Sequence, residues 1–304
     1  MNSESVLQAY INKIKSDNLQ PNKVGSAKAC YLGKFAVLKS LTPVNSGNFG
    51  FFRKRFHNFE KVRAFNNYLI SLGVPTSKIY VCKYFENNYY ELQERVIGRP
   101  LFKYNQDQVC FDALKQNCSI ENLTLEQQQA VSNYIFKYNM HTIKLLSSAP
   151  QQHFDDLLKS LKTLAELGIW EFDNNGENIL YNPKSGFGFV DLDIEDFIKE
   201  YANNKKNPVS KTDKMQHALD GFVEIFDNYS YFGEFELKLL NKEQLKAMQN
   251  ANVEVAKKLI VAASNNGLRY LPDGFATYLL EKLVGKKNFN ENFSKIITSI
   301  NPKK

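Results

Sequence analysis

Short apolar runs separated by turn residues mark the first third of the chain, apart from helical patterns in the first twenty residues and at 52–72. Four longer runs and one dipeptide predict strands, at 23–24, 29–32, 35–39, 79–85 and 89–96. Between residues 52 and 72, apolar positions recur every three or four residues, which predicts an amphipathic helix that ends before Gly73.

Helical periodicity dominates after Gly98. The predicted helices lie at 125–146, 153–167, 213–229, 241–265 and 272–283. Residues 169–197 are the exception, with a strand, loop and strand pattern. A small antiparallel sheet with one main helix, followed by a larger helical half, is typical of an α+β fold in two lobes. We therefore expect an N-terminal lobe at 1–97 and a C-terminal lobe at 98–304.

Composition narrows the class of protein without naming it. The 304 residues are 43% hydrophobic, enough for one sizeable core or two smaller ones. The formal net charge of +7 favours anionic partners such as nucleotides, but scattered basic residues do not indicate nucleic-acid binding.

No apolar run is long enough for a membrane span. Four cysteines without metal-finger spacing indicate a reducing, cytoplasmic location, with export into a host cell left open.

The chemistry-bearing stretch runs from Gly168 to Asp193. Phosphoryl transfer needs a carboxylate that orients or deprotonates the attacking hydroxyl, and Asp173 can supply it. Magnesium prefers carboxylate and amide oxygens, which Asp191 and Asn178 carry. If the apolar runs that follow Asn178 and precede Asp191 pair as a hairpin, these two side chains converge on one metal ion.

This spacing resembles the catalytic-loop and metal-binding motifs of the protein-kinase superfamily, including its aminoglycoside and choline phosphotransferase branch and the atypical bacterial kinases. The resemblance implies a bilobal protein-kinase-like fold with ATP and Mg²⁺ as cofactors. It makes Asp173 the catalytic aspartate, and Asn178 and Asp191 the metal ligands.

Upstream motifs extend the resemblance to the predicted N-terminal lobe. Ala36-Val-Leu-Lys39 is similar to the strand whose lysine holds the α- and β-phosphates, which implies a catalytic and nucleotide-binding Lys39. Glu60, on the helix predicted at 52–72, is the candidate ion-pair partner of Lys39. By the same resemblance, Gly25 and Ser26 would belong to the phosphate-covering loop.

The run from Gln93 to Leu101 resembles an inter-lobe hinge. By this resemblance, backbone groups near Glu94 and Val96 would bind adenine.

Departures from the family pattern keep a non-catalytic reading open. Glu171 stands where the family usually has histidine, and the phosphate loop has one glycine. No Ala-Pro-Glu motif follows Asp191, so the usual platform for a protein substrate is missing.

Several candidate residues also have ordinary structural interpretations. Lys39 could be a surface lysine with a buried stem, and Glu60 could belong to a solvated helix face. Asp193 could bind a second metal or cap a helix that starts at Ile194. We expect His141 and Trp170 to be core residues. The remaining expectation is a surface loop from Lys205-Lys206 to Lys211.

Together these patterns predict an ATP- and Mg²⁺-dependent phosphotransferase that moves the γ-phosphoryl group to a hydroxyl of a small molecule. The partners are a nucleotide and a hydroxyl acceptor. An atypical bacterial protein kinase and a catalytically inactive pseudokinase that acts as a binding module are the alternatives. Transfer of AMP is a third.

Overall fold

The computed structural model describes most of the chain. The described residues are 3–18, 23–24, 29–34, 36–41, 59–85, 88–101, 123–170, 178–190, 192, 194–227, 239–271 and 273–300. Their architecture is α+β, with helices and small antiparallel sheets.

Helices and strands are numbered here in chain order over the described residues. The strands are β1 (Lys23–Val24), β2 (Ala29–Leu32), β3 (Ala36–Leu41), β4 (Ile79–Phe85), β5 (Asn88–Glu94), β6 (Arg99–Pro100), β7 (Ile179–Asn182) and β8 (Gly186–Phe189). The helices are α1 (Ser3–Ser16), α2 (Phe59–Ser71), α3 (Leu125–Ser147), α4 (Gln151–Leu167), α5 (Ile194–Lys206), α6 (Lys211–Asp227), α7 (Lys242–Ala251), α8 (Val253–Asn265), α9 (Phe275–Val284), α10 (Lys286–Asn292) and α11 (Ser294–Ile300).

The chain divides into two compact units. The first unit contains Met1–Ile97 and Leu192–Lys206, and the second contains Gly98–Asp191 and Asn207–Lys304. Helix α5 therefore folds with the first unit, although the predicted domain boundaries assign its residues to the C-terminal lobe.

Over its described residues, the first unit contains a five-stranded antiparallel sheet in the order β1-β2-β3-β5-β4. Successive side chains of a strand point to opposite faces, so one face can be apolar while the other is polar. Helix α1 packs on the apolar face, where Leu7 and Ile11 meet Leu38 and Leu92 in one buried cluster. The amphipathic pattern of the first twenty residues therefore covers one face of the sheet.

Helix α2 is tied to the sheet by a buried asparagine. The Asn66 side chain donates to the backbone carbonyl of Ser77 at 3.2 Å and accepts from the backbone N–H of Ile79 at 3.0 Å. On the same helix, Phe65 contacts the ring of Tyr201 on α5, with centroids 5.5 Å apart. The contact between Phe65 and Tyr201 joins α5 to the first unit.

The described part of the second unit contains a three-stranded antiparallel sheet in the order β6-β7-β8. A cluster of phenylalanines packs this sheet against the helices. Phe154 of α4 stacks on Phe226 of α6 at 5.4 Å and meets Phe187 of β8 edge-on at 5.5 Å. Such large aromatic side chains supply much of the burial that holds a core together.

Some predicted elements differ from those observed. The helix predicted at 241–265 is two helices that meet at Asn252, whose buried side chain donates to the backbone carbonyl of Leu283 at 3.4 Å. Residues 194–206 are helical, so the strand expected up to 197 and the loop expected from Lys205-Lys206 are both wrong in part. Hydrophobic periodicity misses the break because Asn252 keeps a helical backbone conformation.

Among the helices of the described segments, none combines the length and the apolar character that a bilayer-spanning helix requires.

A glycine fixes the turn between β7 and β8. Gly186 has a φ of +82°, and an added Cβ there would lie 3.3 Å from the ring of His153. Gly221 lies inside helix α6, where an added Cβ would meet no atom within 4 Å. We expect Gly186→Ala to destabilise the protein by about 1–2 kcal/mol and Gly221→Ala to stabilise it by up to about 1 kcal/mol. Urea denaturation of the two matched variants measures both free energies. Equal midpoints would contradict this account of the turn.

Candidate functional site

The predicted hairpin after Asn178 is present. Strand β7 pairs with β8 from Ile179 opposite Phe189 to Asn182 opposite Gly186. The ladder extends one step further, because the Val190 N–H donates to the backbone carbonyl of Asn178 at 2.9 Å. Asn178 therefore lies beside the residue that directly precedes Asp191.

The Asn178 side chain is buried, with 5% of the residue exposed, and it carries an amide oxygen of the kind that magnesium accepts as a ligand. Asp173, Asp191, Glu171 and Asp193 lie outside the described residues. Within the described part of the chain, no group of three or more His, Cys, Asp or Glu side chains could hold a metal ion. The predicted site thus depends on Asn178 together with carboxylates whose placement is not described.

Lys39 is a buried lysine on β3. Only 8% of the residue is exposed, so the interpretation as a solvent-facing surface lysine is wrong. Its Nζ lies 3.9 Å from Oε1 of Glu91, which is its direct register partner on β5. A buried cation requires a compensating partner, and Glu91 supplies one.

Glu60 lies on α2, with its side chain 78% exposed. Its carboxylate receives a 2.6 Å hydrogen bond from Arg63, one turn along the same helix. Arg63 also donates to the backbone carbonyl of Tyr80 at 3.4 Å. Among the described contacts, the structure therefore pairs Lys39 with Glu91 and Glu60 with Arg63, and the predicted pairing of Lys39 with Glu60 is not among them.

The predicted adenine-binding backbone comes at the end of β5. The Glu94 N–H donates to the carbonyl of Lys78 at 2.8 Å, so the predicted adenine contact at this residue would have to use its carbonyl. Val96 is half-buried in the segment between β5 and β6. Gly25 and Ser26 lie outside the described residues.

Two predicted core residues are not buried. Trp170 is half-buried, and its ring stacks on His217 of α6 at 4.9 Å with an interplanar angle of 12°.

His141 is exposed and lines an open cleft of about 480 Å³ on α3, together with Lys137 and Arg99. The guanidinium of Arg99 lies 4.0 Å over the ring of Tyr138. Helical periodicity places His141 on α3 correctly but does not show which side of α3 neighbouring elements cover.

Sequence reasoning missed Glu91 as a partner of Lys39. The signal is present in β5, where polar Glu91 and Gln93 alternate with apolar Tyr90 and Leu92. That alternation predicts one polar face on the strand. It does not predict that this face would be buried against Lys39.

No family model matches the chain, and no curated protein matches it. The solved structures that match include two of WbdD, one of them described as a bifunctional kinase-methyltransferase. The first shares 13% identity at a TM-score of 0.30 over 80% of this chain and 48% of that one. The second shares 15% identity at a TM-score of 0.31, over 81% of this chain and 50% of that one. This chain spans about half the length of those proteins, and values this low assign neither a family nor an activity.

A titratable group with a shifted pKa lies next to His217 on α6. Burial raises the pKa of the Asp220 carboxyl, while hydrogen bonds from Gln216 and from the Ala276 N–H and the nearby His217 oppose that shift. The Ala276 bond is 3.1 Å long, and it places the carboxylate at the first turn of α9. Asp220 therefore links the helix that carries His217 to the start of α9.

The stability of the second unit should depend on the protonation of Asp220. Because the folded state binds this proton more tightly than the unfolded chain does, protonation of Asp220 stabilises the fold. This stabilisation is fully present below the ordinary carboxyl pKa of 3.8 and is lost as pH rises through the raised pKa of the folded protein. Asp220→Asn keeps an oxygen acceptor for Ala276 and cannot titrate. We expect the Tm of the wild type to fall relative to that of Asp220→Asn across this window and then to stay level. Thermal unfolding of both proteins from acidic to neutral pH measures the difference; a constant difference would argue against this assignment.

Proposed function

We propose that this protein is an ATP- and Mg²⁺-dependent phosphotransferase that moves the γ-phosphoryl group to a hydroxyl of a small molecule. The observation that carries the proposal is the hydrogen bond from the Val190 N–H to the Asn178 carbonyl at 2.9 Å. It closes the hairpin that the motif spacing requires, with an amide side chain at one end and the residue before Asp191 directly beside it.

The donor set suits magnesium. Asn178 offers an amide oxygen, and Asp191 would supply a carboxylate, both of which are hard oxygen ligands. A bound magnesium ion would neutralise charge on the nucleotide phosphates. The pattern of residue types therefore favours phosphoryl transfer over chemistry that needs sulfur or imidazole ligands.

The remaining residues receive roles from the resemblance to kinases. Asp173 would accept the proton of the attacking hydroxyl while the acceptor oxygen forms a bond to the γ-phosphorus. The bond between that phosphorus and the β–γ bridging oxygen breaks, and ADP leaves. Lys39 would hold the α- and β-phosphates. Burial of Lys39 at 8% exposure supports a role beyond surface solubility.

Substitutions in the motif should remove activity without unfolding the protein. We expect Asp173→Asn to lower kcat by about 10²–10⁴, the range typical of a lost general base. We expect Asn178→Ala to lower activity at least about a hundredfold, more than the loss typical of outer-shell metal contacts. Chelation of divalent cations with EDTA should stop turnover. The measurement is ADP release with a panel of polyhydroxy and aminoglycoside-like acceptors, with products identified by mass spectrometry.

Asn182→Ala is the matched control, since Asn182 begins the turn at the other end of the same hairpin and its side chain accepts from the Lys184 N–H at 2.9 Å. It should retain activity.

Stabilisation by ATP–Mg²⁺ without Asp173-dependent turnover would favour the pseudokinase, to which Glu171 in place of histidine already points. Phosphorylation of a protein substrate would favour the bacterial protein kinase, and a product that carries AMP would exclude γ-phosphoryl transfer.

A further inference from the structure

We propose that Glu91, on the strand next to Lys39, is the residue that positions Lys39 for the nucleotide phosphates, and that a buried hydrogen-bond chain from helix α2 fixes Glu91 in place. This inference rests on the proposed function for the role of Lys39. It assigns the partner's role to a sheet residue instead of the helical Glu60.

The geometry begins with strand register. Lys39 of β3 lies opposite Glu91 of β5, and Glu91 lies opposite Cys82 of β4. Residues directly opposite each other in an antiparallel sheet share a face. These three side chains therefore form one polar row across three strands, on the face opposite the cluster packed against α1.

Both carboxylate oxygens of Glu91 have further partners on this face of the sheet. Oε1, which lies 3.9 Å from Lys39 Nζ, also accepts a hydrogen bond from Gln93 Nε2. Oε2 accepts from the Cys82 thiol at 3.8 Å. A carboxylate held at both oxygens has little freedom to rotate away from Lys39, so its negative charge stays fixed.

The hydrogen-bond chain continues to helix α2. Ser77 Oγ donates to Gln93 Oε1 at 3.2 Å, which directs the amide nitrogen of Gln93 towards Glu91. The Ser77 carbonyl in turn accepts from Asn66 of α2 at 3.2 Å. Asn66, Ser77 and Gln93 are 1%, 5% and 8% exposed. Buried polar groups are costly unless each has a partner, so the chain is expected to hold one arrangement.

Glu60 has neither the burial nor the contacts for this role. Its side chain is 78% exposed and bonded to Arg63 on its own helix. An exposed pair one turn apart on a helix contributes little to stability. The further contact of Arg63 is with the backbone carbonyl of Tyr80 at 3.4 Å. Helix α2 also reaches the sheet through the buried Asn66, and the link that leads to Lys39 runs from Asn66 by way of Gln93 and Glu91.

The test compares two matched variants, Glu91→Gln and Glu60→Gln, which change charge and keep volume. We expect Glu91→Gln to weaken ATP–Mg²⁺ binding about tenfold or more, because Lys39 then loses the charged partner that holds its ammonium group in place. Glu60→Gln should stay within about twofold of wild type, as surface ion pairs generally contribute little. Glu91→Asp, which keeps the charge, should retain part of the ATP–Mg²⁺ affinity that Glu91→Gln loses. Calorimetric titration with ATP–Mg²⁺ measures affinity, and steady-state kinetics separate KM from kcat.

Lys39→Met gives the second arm. If Glu91 acts through Lys39, Glu91→Gln should not weaken nucleotide binding further in the Lys39→Met background. Urea denaturation of the two single variants and the double variant tests the pair without nucleotide. The double variant should be more stable than the sum of the single effects predicts, because each single change leaves a buried charge without its partner.

The outcomes separate the two proposals. Wild-type protein that binds no ATP–Mg²⁺ would overturn the proposed function and the positioning role with it, while the denaturation cycle would still decide whether Lys39 and Glu91 are coupled. Normal wild-type binding with an unaffected Glu91→Gln would overturn the positioning role alone. Equal losses in Glu91→Gln and Glu60→Gln would also reject it. If Glu91→Gln does not fold, Glu91→Asp and Gln93→Leu carry the same comparison, with weaker binding expected for both.

Discussion

Alternation of side chains across β3, β5 and β4 is the constraint on which the first unit depends. One row across the sheet, Tyr31, Leu38, Leu92 and Val81, belongs to the cluster that packs against α1. The next row places Lys39 opposite Glu91 and Glu91 opposite Cys82. Because neighbouring rows face opposite ways, covering one face with a helix directs the polar row to the other. A shift of register by one residue would exchange the two faces, so the pairing that buries Leu38 also pairs Lys39.

The second unit uses strand pairing differently. There the hairpin of β7 and β8 is held by aromatic packing on one side, where Tyr181 and Phe187 contact each other at 4.8 Å and Phe154 packs against Phe187. Its open end carries Asn178. A rigid hairpin with a buried base suits a side chain that must stay in one place, because precise placement of a polar group needs support from fixed neighbours.

Local patterns predicted much of this fold from the sequence. A β-rich run that ends at a polar turn predicts strand β4 at Ile79–Phe85, and the strand is found there. Gly168 also predicts the end of α4, because helices commonly end at a residue with positive φ and Gly168 has a φ of +83°. The hairpin after Asn178 followed from two apolar runs around a turn. The Lys39–Glu91 pair did not, since a strand pattern shows which residues share a face but not which distant strand lies opposite. The roles of Asp173, Asp191, Gly25 and Ser26 remain predictions.

The path of the chain between its units has a consequence for how the protein can be divided. The chain leaves the first unit after Ile97, returns for Leu192–Lys206 and leaves again. Neither unit is a continuous stretch of sequence. A fragment that stops at residue 97 would lose Tyr201, and Phe65 on α2 would lose the ring it packs against. A single cut after residue 97 would therefore leave the first unit incomplete. Joining residues 192–206 to that fragment through a linker would restore the contact of Phe65 with Tyr201.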